Sequence, residues 1–384
     1  MDTIHRTSSR AQHKSLHRPN GLHVLIVDDS AVVREVLSAI LSSQDGITVT
    51  TAADPVIAMA KMDRARPDVI LLDIEMPRMD GLTFLQKIMA EDPIPVVICS
   101  SQATAGNDAA MRALEQGAVE IITKPKLGVK DFLRESAVLL TDAIWGAAQA
   151  RLFRRTLPSS TAQLRMIPAA MRAKRVSPPN RGSSKRIVAI GASTGGTEAL
   201  RFLLQSMPEE SPGIVIVQHM PKGFTAAFAR RLDQLCVLDV KEAADGDLIT
   251  SGRAFIAPGD RHVTINPSRS GADLLIEVSD GPLVSRHRPS VDVLFKSVAK
   301  VAGPESVGVI LTGMGSDGAC GLLEMKLAGA ATIAQDEATC VVFGMPKESI
   351  ACGAVDEVAP LASIPSAILQ KAKIATGPLK VPTL

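Results

Sequence analysis

Short apolar runs that alternate with helix-length segments constrain the fold of this chain more than any other feature. From His23 the runs include HVLIVDD, DVILLD and PVVICSS, and from Arg186 the pattern returns with RIVAIG, GIVIVQH and SVGVILTG. Apolar strands connected through helices form βαβ units, which build a parallel sheet covered by helices on both faces. The sequence therefore predicts an α/β protein with two doubly wound parallel-sheet domains, an N-terminal (βα)5 domain and a Rossmann-like C-terminal domain.

The length and charge pattern of the chain agree with two large domains. Its 384 residues are enough for two or three domains of about 100 to 200 residues each. No acidic residue occurs between Asp142 and Glu198, where basic residues and prolines are frequent, so this stretch is interpreted as a linker. The predicted segments are a disordered tail at 1–20, a first domain at 21–140, a helix end and basic, proline-containing linker at 141–184, a second domain at 185–376 and a tail at 377–384.

Composition excludes several classes of protein. The 42 Lys and Arg nearly balance the 40 Asp and Glu, so no overall field favours nucleic acid or a membrane surface. Five cysteines without a C-x-x-C pair indicate neither a disulfide framework nor a zinc site. Neither an apolar run long enough to cross a membrane nor a signal-peptide pattern is found. We expect a cytoplasmic protein without membrane insertion and without a nucleic-acid partner.

Polar side chains gather at the predicted carboxyl ends of the strands in the first domain. Asp28 and Asp29 follow the first strand, Asp73 ends the third, Ser100 ends the fourth and Lys124 follows the fifth. In open parallel sheets the functional crevice lies beyond these ends. Three neighbouring carboxylates form a hard oxygen site that suits Mg²⁺. Taken singly, Asp29 is equally explained as a helix cap and Asp73 as the end of a strand.

The first domain resembles the receiver domains of two-component response regulators. The matching motifs are VDDS at 27–30, LLDIEMPRMDG at 71–81, CSS at 99–101 and TKP at 123–125. The resemblance implies that Asp73 is the phosphoacceptor and that Asp28 and Asp29 hold Mg²⁺ with it. It also implies that Ser100 is the switch hydroxyl, that Lys124 contacts the acyl phosphate, and that a histidine kinase is the phosphoryl donor.

The turn after the first strand of the second domain carries a serine. RIVAIGASTGG fits G-x-G-x-x-G except that Ser193 occupies the second glycine position, where its Cβ would crowd a dinucleotide pyrophosphate. The same residues fit G-x-S-x-G, a strand-to-helix turn that presents the hydroxyl beside helix N–H groups. We therefore interpret Ser193 as a nucleophile.

A serine nucleophile needs a base, and the next strand supplies a candidate. GIVIVQH places His219 at a strand end 26 residues after Ser193, about one βαβ repeat, so neighbouring strands would bring the two together. Asp317 follows a later strand as the third candidate, and the backbone N–H groups of Met314 and Gly315 in the same glycine-rich turn are placed to bind negative charge. The alternative is that Asp317 caps the helix beginning near Gly318, a role that competes with the first.

The second domain is similar to the chemotaxis protein-glutamate methylesterases. The motifs are GASTGG at 191–196, QHMP at 218–221, APGDRH at 257–262, RPSVDVLF at 288–295 and LTGMGSDGA at 311–319. The resemblance implies a serine esterase that hydrolyses glutamate γ-methyl esters on chemoreceptors, with Ser193, His219 and Asp317 as the catalytic triad and Met314 as an oxyanion donor. It also implies deamidation of receptor glutamines, and it requires no cofactor for the esterase chemistry.

Regulation follows from the order of the two domains. We expect the unphosphorylated receiver to lie over the strand-end face of the esterase, and phosphorylation of Asp73 to rearrange its helix 4 to strand 5 surface and loosen that contact. One position departs from the receiver pattern. Ile121 stands three places before Lys124, where an aromatic switch residue is usual, and this puts rotamer coupling through an aromatic ring in question.

Three alternatives compete with the esterase. The basic linker suggests a DNA-binding response regulator, the glycine turn suggests a nucleotide-dependent oxidoreductase, and a chain without activity would be a receptor-binding scaffold. The second domain has too many strands for a helix-turn-helix module, and one Trp, nine Phe and no Tyr offer few platforms for stacking bases. The basic cluster at 286–288 is explained equally by contact with an acidic receptor surface and by a solvated turn.

Overall fold

A computed structural model of the chain describes residues 21–76, 80–101, 104–124, 130–152 and 186–373. The predicted tails at 1–20 and 377–384 lie outside the described residues, as does most of the predicted linker. No helix in these ranges combines the length and apolarity needed to cross a membrane.

The first domain is a five-stranded parallel sheet in the order β2-β1-β3-β4-β5, which confirms the predicted (βα)5 architecture. Its elements are β1 (Leu22–Val27), α1 (Ala31–Ser42), β2 (Ile47–Ala52), α2 (Pro55–Met62), β3 (Val69–Leu72), α3 (Gly81–Glu91), β4 (Val96–Ser100), α4 (Thr104–Glu115), β5 (Glu120–Thr123) and α5 (Lys130–Ala148). Strands β3 and β4 are buried along their whole length, because helices cover both faces of the sheet.

The second domain contains a seven-stranded parallel sheet in the order β14-β13-β12-β6-β7-β9-β8. Its elements are β6 (Ile187–Ala192), α6 (Gly196–Ser206), β7 (Gly213–Gln218), α7 (Phe224–Leu235), β8 (Asp239–Glu242), β9 (Arg253–Ile256), β10 (His262–Pro267), β11 (Leu274–Ser279), α8 (Val291–Val301), β12 (Ser306–Ile310), α9 (Ala319–Leu327), β13 (Ala331–Gln335), α10 (Met345–Ala351), β14 (Glu357–Ala359) and α11 (Ile364–Lys371). The predicted second α/β domain is confirmed.

The second domain differs from the simple βαβ pattern in the sequence by one hairpin and two edge strands. The runs HVTIN and LLIEVSD form β10 and β11, which pair with each other as an antiparallel hairpin outside the parallel sheet. The strands β8 and β14 were not indicated by the sequence pattern. Both lie at edges of the sheet, are short and carry charged residues, so they lack the apolar run of a central strand.

The strand order determines where the functional turns meet. β6 lies between β7 and β12, and the register pairs Ala192 with Gln218 and Gly191 with Ile310. The loops that leave these three strands therefore begin side by side at the carboxyl ends of the strands. These strand ends border the crevice in which open parallel sheets bind ligands.

Candidate active site and phosphorylation site

Ser193 lies in a tight turn between β6 and α6. The Gly196 N–H donates to the Ser193 carbonyl over 2.7 Å, and Gly195 has φ +77°, a left-handed conformation that favours glycine. A Cβ on Gly195 would also lie 2.4 Å from the Cβ of Val341, so only glycine fits this position. The turn leaves Ser193 only 6% exposed, at the N-terminal end of α6.

His219 lies directly beside this turn. Its backbone N–H donates to the carbonyl of Ala192 over 3.0 Å, and the side chain of Gln218 donates to the carbonyl of Ser193 over 2.9 Å. The sequence prediction that parallel pairing brings the residues after β6 and β7 together therefore agrees with the geometry. The Gln218 amide was not singled out in the sequence, and it ties the two turns to each other.

The imidazole of His219 is oriented by Asp317. Nε2 of His219 lies 2.8 Å from Oδ2 of Asp317, and both side chains are almost fully buried. Nδ1 is also buried and has no hydrogen-bond partner among the described residues. Because Asp317 occupies Nε2, Nδ1 is the ring nitrogen of His219 that stays free for another partner.

Asp317 also caps a helix, but a different one from the helix considered in the sequence. Its carboxylate accepts hydrogen bonds from the Ser290 hydroxyl and from the N–H groups of Val291 and Asp292, at the start of α8. The helix after Asp317 instead has Gly318 at its N-cap, without a side-chain cap, so the alternative that Asp317 caps that helix is wrong. The two carboxylate oxygens serve the cap of α8 and the imidazole together.

The hydrogen bonds determine the charge of Asp317. Burial acts to raise its pKa, but the hydrogen bonds from His219, Ser290 and Val291 outweigh burial and hold the pKa below its usual value. The carboxylate therefore stays ionised where it contacts His219.

Met314 lies in a turn that packs against Ser193. A Cβ on Gly313 would lie 2.7 Å from the Cβ of Ser193, so the backbone of the two turns approaches closely. Two backbone hydrogen bonds of Gly313 hold the turn in place. The Gly313 carbonyl accepts from the N–H of Met345 over 2.8 Å, and the Gly313 N–H donates to the carbonyl of Val342 over 3.0 Å. Met314 is thus in the region predicted to bind the oxyanion.

The acidic residues of the first domain converge as their positions at strand ends predict. One carboxylate oxygen from each of Asp28, Asp29 and Asp73 lies within 4.8 Å of the others, an arrangement typical of a Mg²⁺ site in a receiver domain. Asp28 and Asp73 are each 1% exposed, whereas Asp29 is exposed. Ser30, not Asp29, is the N-cap of α1, so the capping alternative for Asp29 is wrong.

Lys124 joins the two buried carboxylates. Its Nζ lies 2.7 Å from Oδ2 of Asp73 and 2.9 Å from Oδ2 of Asp28. Burial raises the pKa of Asp73, and the hydrogen bond from Lys124 offsets only part of that rise. Burial alone would lower the pKa of Lys124, but the two carboxylates raise it, so the ammonium keeps its charge.

The remaining predicted receiver residues lie close to this pocket. Ser100 is buried at the end of β4, and its hydroxyl donates to the Ser101 carbonyl over 3.3 Å. Ile121 is buried in the apolar core that the two domains share. The side chain of Ile121 therefore packs as a core residue at the position where the receiver pattern has an aromatic switch.

The receiver contacts the turn that carries Ser193. The carbonyl of Val119 accepts from the Gly195 N–H over 3.4 Å, and the carboxylate of Glu120 accepts from the Thr194 hydroxyl over 2.6 Å. On α5, Gly146 approaches so closely that a Cβ there would lie 3.1 Å from Oγ1 of Thr194. Sequence reasoning missed Glu120 and Thr194, because nothing local in either segment indicates a contact between domains.

The fold and the site define the class of protein: a receiver domain joined to an α/β domain with serine, histidine and aspartate at its strand ends. The response regulator receiver domain family matches residues 24–131, and the CheB methylesterase family matches residues 188–368. These matches agree with the class that the geometry defines.

Related proteins identify the family more closely. The protein-glutamate methylesterase/protein-glutamine glutaminase 5 of Anaeromyxobacter dehalogenans is 59% identical, with 91% of this chain and 96% of that protein covered. The protein-glutamate methylesterase/protein-glutamine glutaminase 3 of Geobacter metallireducens is 56% identical, with 91% of this chain and 98% of that protein covered. The crystal structure of the Thermotoga maritima CheB methylesterase catalytic domain is 40% identical, with a TM-score of 0.47, and covers 48% of this chain and 97% of that one.

The chain belongs to the CheB-type protein-glutamate methylesterase/protein-glutamine glutaminase family, with an N-terminal receiver domain, which acts in chemotaxis adaptation. The resemblance, the class of enzyme and the function predicted from the sequence are confirmed. Family membership also decides against the DNA-binding regulator and the oxidoreductase.

Proposed function

We propose that the methyl esters this enzyme hydrolyses lie on chemoreceptor glutamates, that Ser193, His219 and Asp317 carry the reaction, and that phosphorylation of Asp73 activates it. The observation that supports the catalytic assignment is the hydrogen bond between His219 and Asp317 beside the Ser193 turn. The family relationship supports the substrate class.

The first step forms an acyl enzyme. Nδ1 of His219 takes the Ser193 proton while Oγ attacks the ester carbonyl, and the oxyanion is met by backbone N–H groups, including that of Met314. The imidazolium then gives its proton to the departing methoxide, and methanol leaves. Asp317 stabilises the imidazolium in the interval, because its carboxylate stays ionised and lies 2.8 Å from Nε2.

The second step restores the enzyme. His219 takes a proton from water, hydroxide adds to the acyl carbon, and Ser193 leaves as the free hydroxyl after it recovers the proton. The product is a receptor glutamate. A receptor glutamine enters the same sequence with ammonia in place of methanol, which accounts for deamidation by the same residues.

The receiver site supplies the control. A histidine kinase is the phosphoryl donor, and Asp73 is the acceptor. Asp28, Asp29 and Asp73 fit Mg²⁺ because three carboxylate oxygens lie within 4.8 Å of one another. The ion, when bound, neutralises charge on the transferred phosphoryl group. Lys124, which already contacts Asp73, then forms an ion pair with the acyl phosphate.

The contacts between domains support inhibition by the unphosphorylated receiver. β5 and α5 lie against Thr194 and Gly195, the two residues after the nucleophile, so a receptor helix cannot reach Ser193 while they remain there. Phosphorylation adds negative charge at the end of β3 and favours a receiver conformation that binds this face less well.

An Asp73→Asn variant is expected to keep its unstimulated activity but to gain nothing from a small-molecule phosphodonor, because the amide cannot accept the phosphoryl group. The measurement is methanol release from methylated receptor with and without the donor. Asp63→Asn is the matched control, because Asp63 is an exposed carboxylate at the end of α2. A donor response of Asp73→Asn equal to that of the control would contradict this assignment.

Unstimulated activity is also expected to depend on pH through Glu120. Burial raises the pKa of Glu120 from 4.5 to about 6 where it contacts Thr194, with His219 and Asp142 as the neighbouring titratable side chains. Glu120 therefore binds a proton more tightly when the receiver is docked on the esterase domain than when the two domains are separated. The contribution of Glu120 to docking is fully present below pH 4.5 and is lost as the pH rises through about 6.

The measurement is the ratio of unstimulated to donor-stimulated methanol release between pH 4.5 and 7. Using a ratio cancels the pH dependence of the catalytic residues themselves. The ratio should rise with pH in the wild type and in Glu91→Gln, an exposed control, and should be flat in Glu120→Gln. A Glu120→Gln variant that keeps the wild-type slope would refute the role of this carboxylate.

A further inference from the structure

A second imidazole lies directly on the proposed catalytic base. The rings of His287 and His219 are stacked with their centroids 3.7 Å apart and their planes 10° from parallel. His287 belongs to the basic cluster at 286–288, and this contact shows that its ring is not part of a solvated turn. With Asp317 on Nε2 and His287 on one face, the His219 ring is restrained both in its plane and in its rotation.

The turn that presents His287 is held in an unfavourable backbone conformation. Val284 and His287 exchange two backbone hydrogen bonds, of 3.1 and 2.9 Å, around the central residues Ser285 and Arg286. These residues have φ of 51° and 68°, the left-handed region that normally requires glycine or asparagine. Such strain persists only where the surrounding structure imposes it, and it is concentrated at functional sites.

The stacked ring is uncharged. Burial and the neighbouring His219 lower the pKa of His287 to about 3 against the opposing pull of Asp317, and the charge of Arg286 lowers it further. A neutral ring can lie on His219 without repelling the imidazolium that forms during the reaction. The charge of Arg286 is directed away, because its guanidinium lies 3.3 Å from Asp142 on α5 of the receiver.

We propose that His287 is a positioning residue: its ring holds the plane of the His219 imidazole so that Nδ1, the nitrogen not bound to Asp317, stays available to the Ser193 turn throughout the reaction. This inference rests on the proposed function. A base that is free to turn away spends part of its time unable to take the serine proton, and small misplacements of reacting groups are costly. His287 therefore acts on the rate of the chemical step and not on substrate binding.

The test compares His287→Ala and His287→Phe with the wild type in the full chain, with phosphodonor and methylated receptor. His287→Ala is expected to lower kcat by about 10- to 100-fold without changing KM, because the loss concerns orientation and not binding. His287→Phe keeps a flat, uncharged ring against His219 and is expected to restore most of kcat. Thermal unfolding of all three proteins shows whether each variant is folded.

Each outcome decides the inference. An unchanged kcat in His287→Ala overturns it, as does a rise in KM alone, which would make His287 a substrate contact. Equal loss in folded His287→Ala and His287→Phe also overturns it, since stacking would then not be the relevant property.

Should His287→Ala not fold, a folded and active His287→Phe supports the inference, and a folded but inactive one overturns it. A wild-type chain that releases no methanol would refute the proposed function, whereas methanol release equal in wild type and His287→Ala refutes only this inference.

Discussion

Ser193→Ala is expected to abolish methanol release, with a loss on the order of 10⁵- to 10⁶-fold in kcat. The alanine removes the hydroxyl of the turn that the pairing of β6 with β7 places beside His219, and neither the imidazole nor the oxyanion donors can replace an attacking nucleophile. Folding should be unaffected, because the turn depends on the backbone of Ser193 and on the glycines after it, whose contacts remain.

The measurement is methanol release from methylated receptor in the presence of phosphodonor, together with binding of the variant to receptor. Ser206→Ala is the matched control, because Ser206 is a buried serine on α6 whose hydroxyl donates to the Phe202 carbonyl. We expect Ser193→Ala to bind receptor as the wild type does. Appreciable release by Ser193→Ala would refute the nucleophile, and a wild type as inactive as the variant would indicate a receptor-binding scaffold.

Asp317→Asn is expected to lower kcat by about 10⁴-fold, the effect of the equivalent change in serine proteases. The amide cannot stabilise the imidazolium, and it favours the wrong tautomer of His219. The variant should also be less stable, because an amide nitrogen at either carboxylate position would face the N–H groups of Val291 and Asp292 or the Ser290 hydroxyl. Loss of one such cap costs about 1 kcal/mol.

The two effects are separated by measuring kcat and the midpoint of thermal unfolding for the same protein. Asp336→Asn is the matched control, because the Asp336 carboxylate also accepts from a backbone N–H, that of Thr339. It should lose stability but keep kcat. If Asp317→Asn loses no more activity than Asp336→Asn, then Asp317 serves only the cap of α8.

The candidate site divides into parts that local sequence predicts and parts that it does not. Ser193 was predicted from the G-x-S-x-G turn that follows an apolar strand, and His219 from its place at the end of the next strand, since neighbouring parallel strands align their ends. The acidic trio was predicted on the same basis and converges within 4.8 Å. For Asp317 the position after a strand was predicted, but the helix that it caps was not. This helix, α8, lies before the strand β12 that leads to Asp317, and no local pattern links the two.

Contacts between distant segments account for the rest. His287 reaches His219 through a strained turn, and Glu120 reaches Thr194 across the domain interface. Each of these residues, seen in sequence, is an ordinary polar side chain in a surface segment. Neither the stacking nor the carboxylate contact leaves a periodic pattern, because neither depends on residues three or four places away.

By itself the sequence determined the two α/β domains, the parallel sheets and the strand ends that carry polar residues, because hydrophobic period and glycine turns depend on near neighbours. Only the tertiary structure decided which nitrogen of His219 meets Asp317, which helix Asp317 caps and which receiver atoms cover Thr194. These depend on the packing of segments far apart in the chain, where a shift of about 1 Å makes or breaks a hydrogen bond.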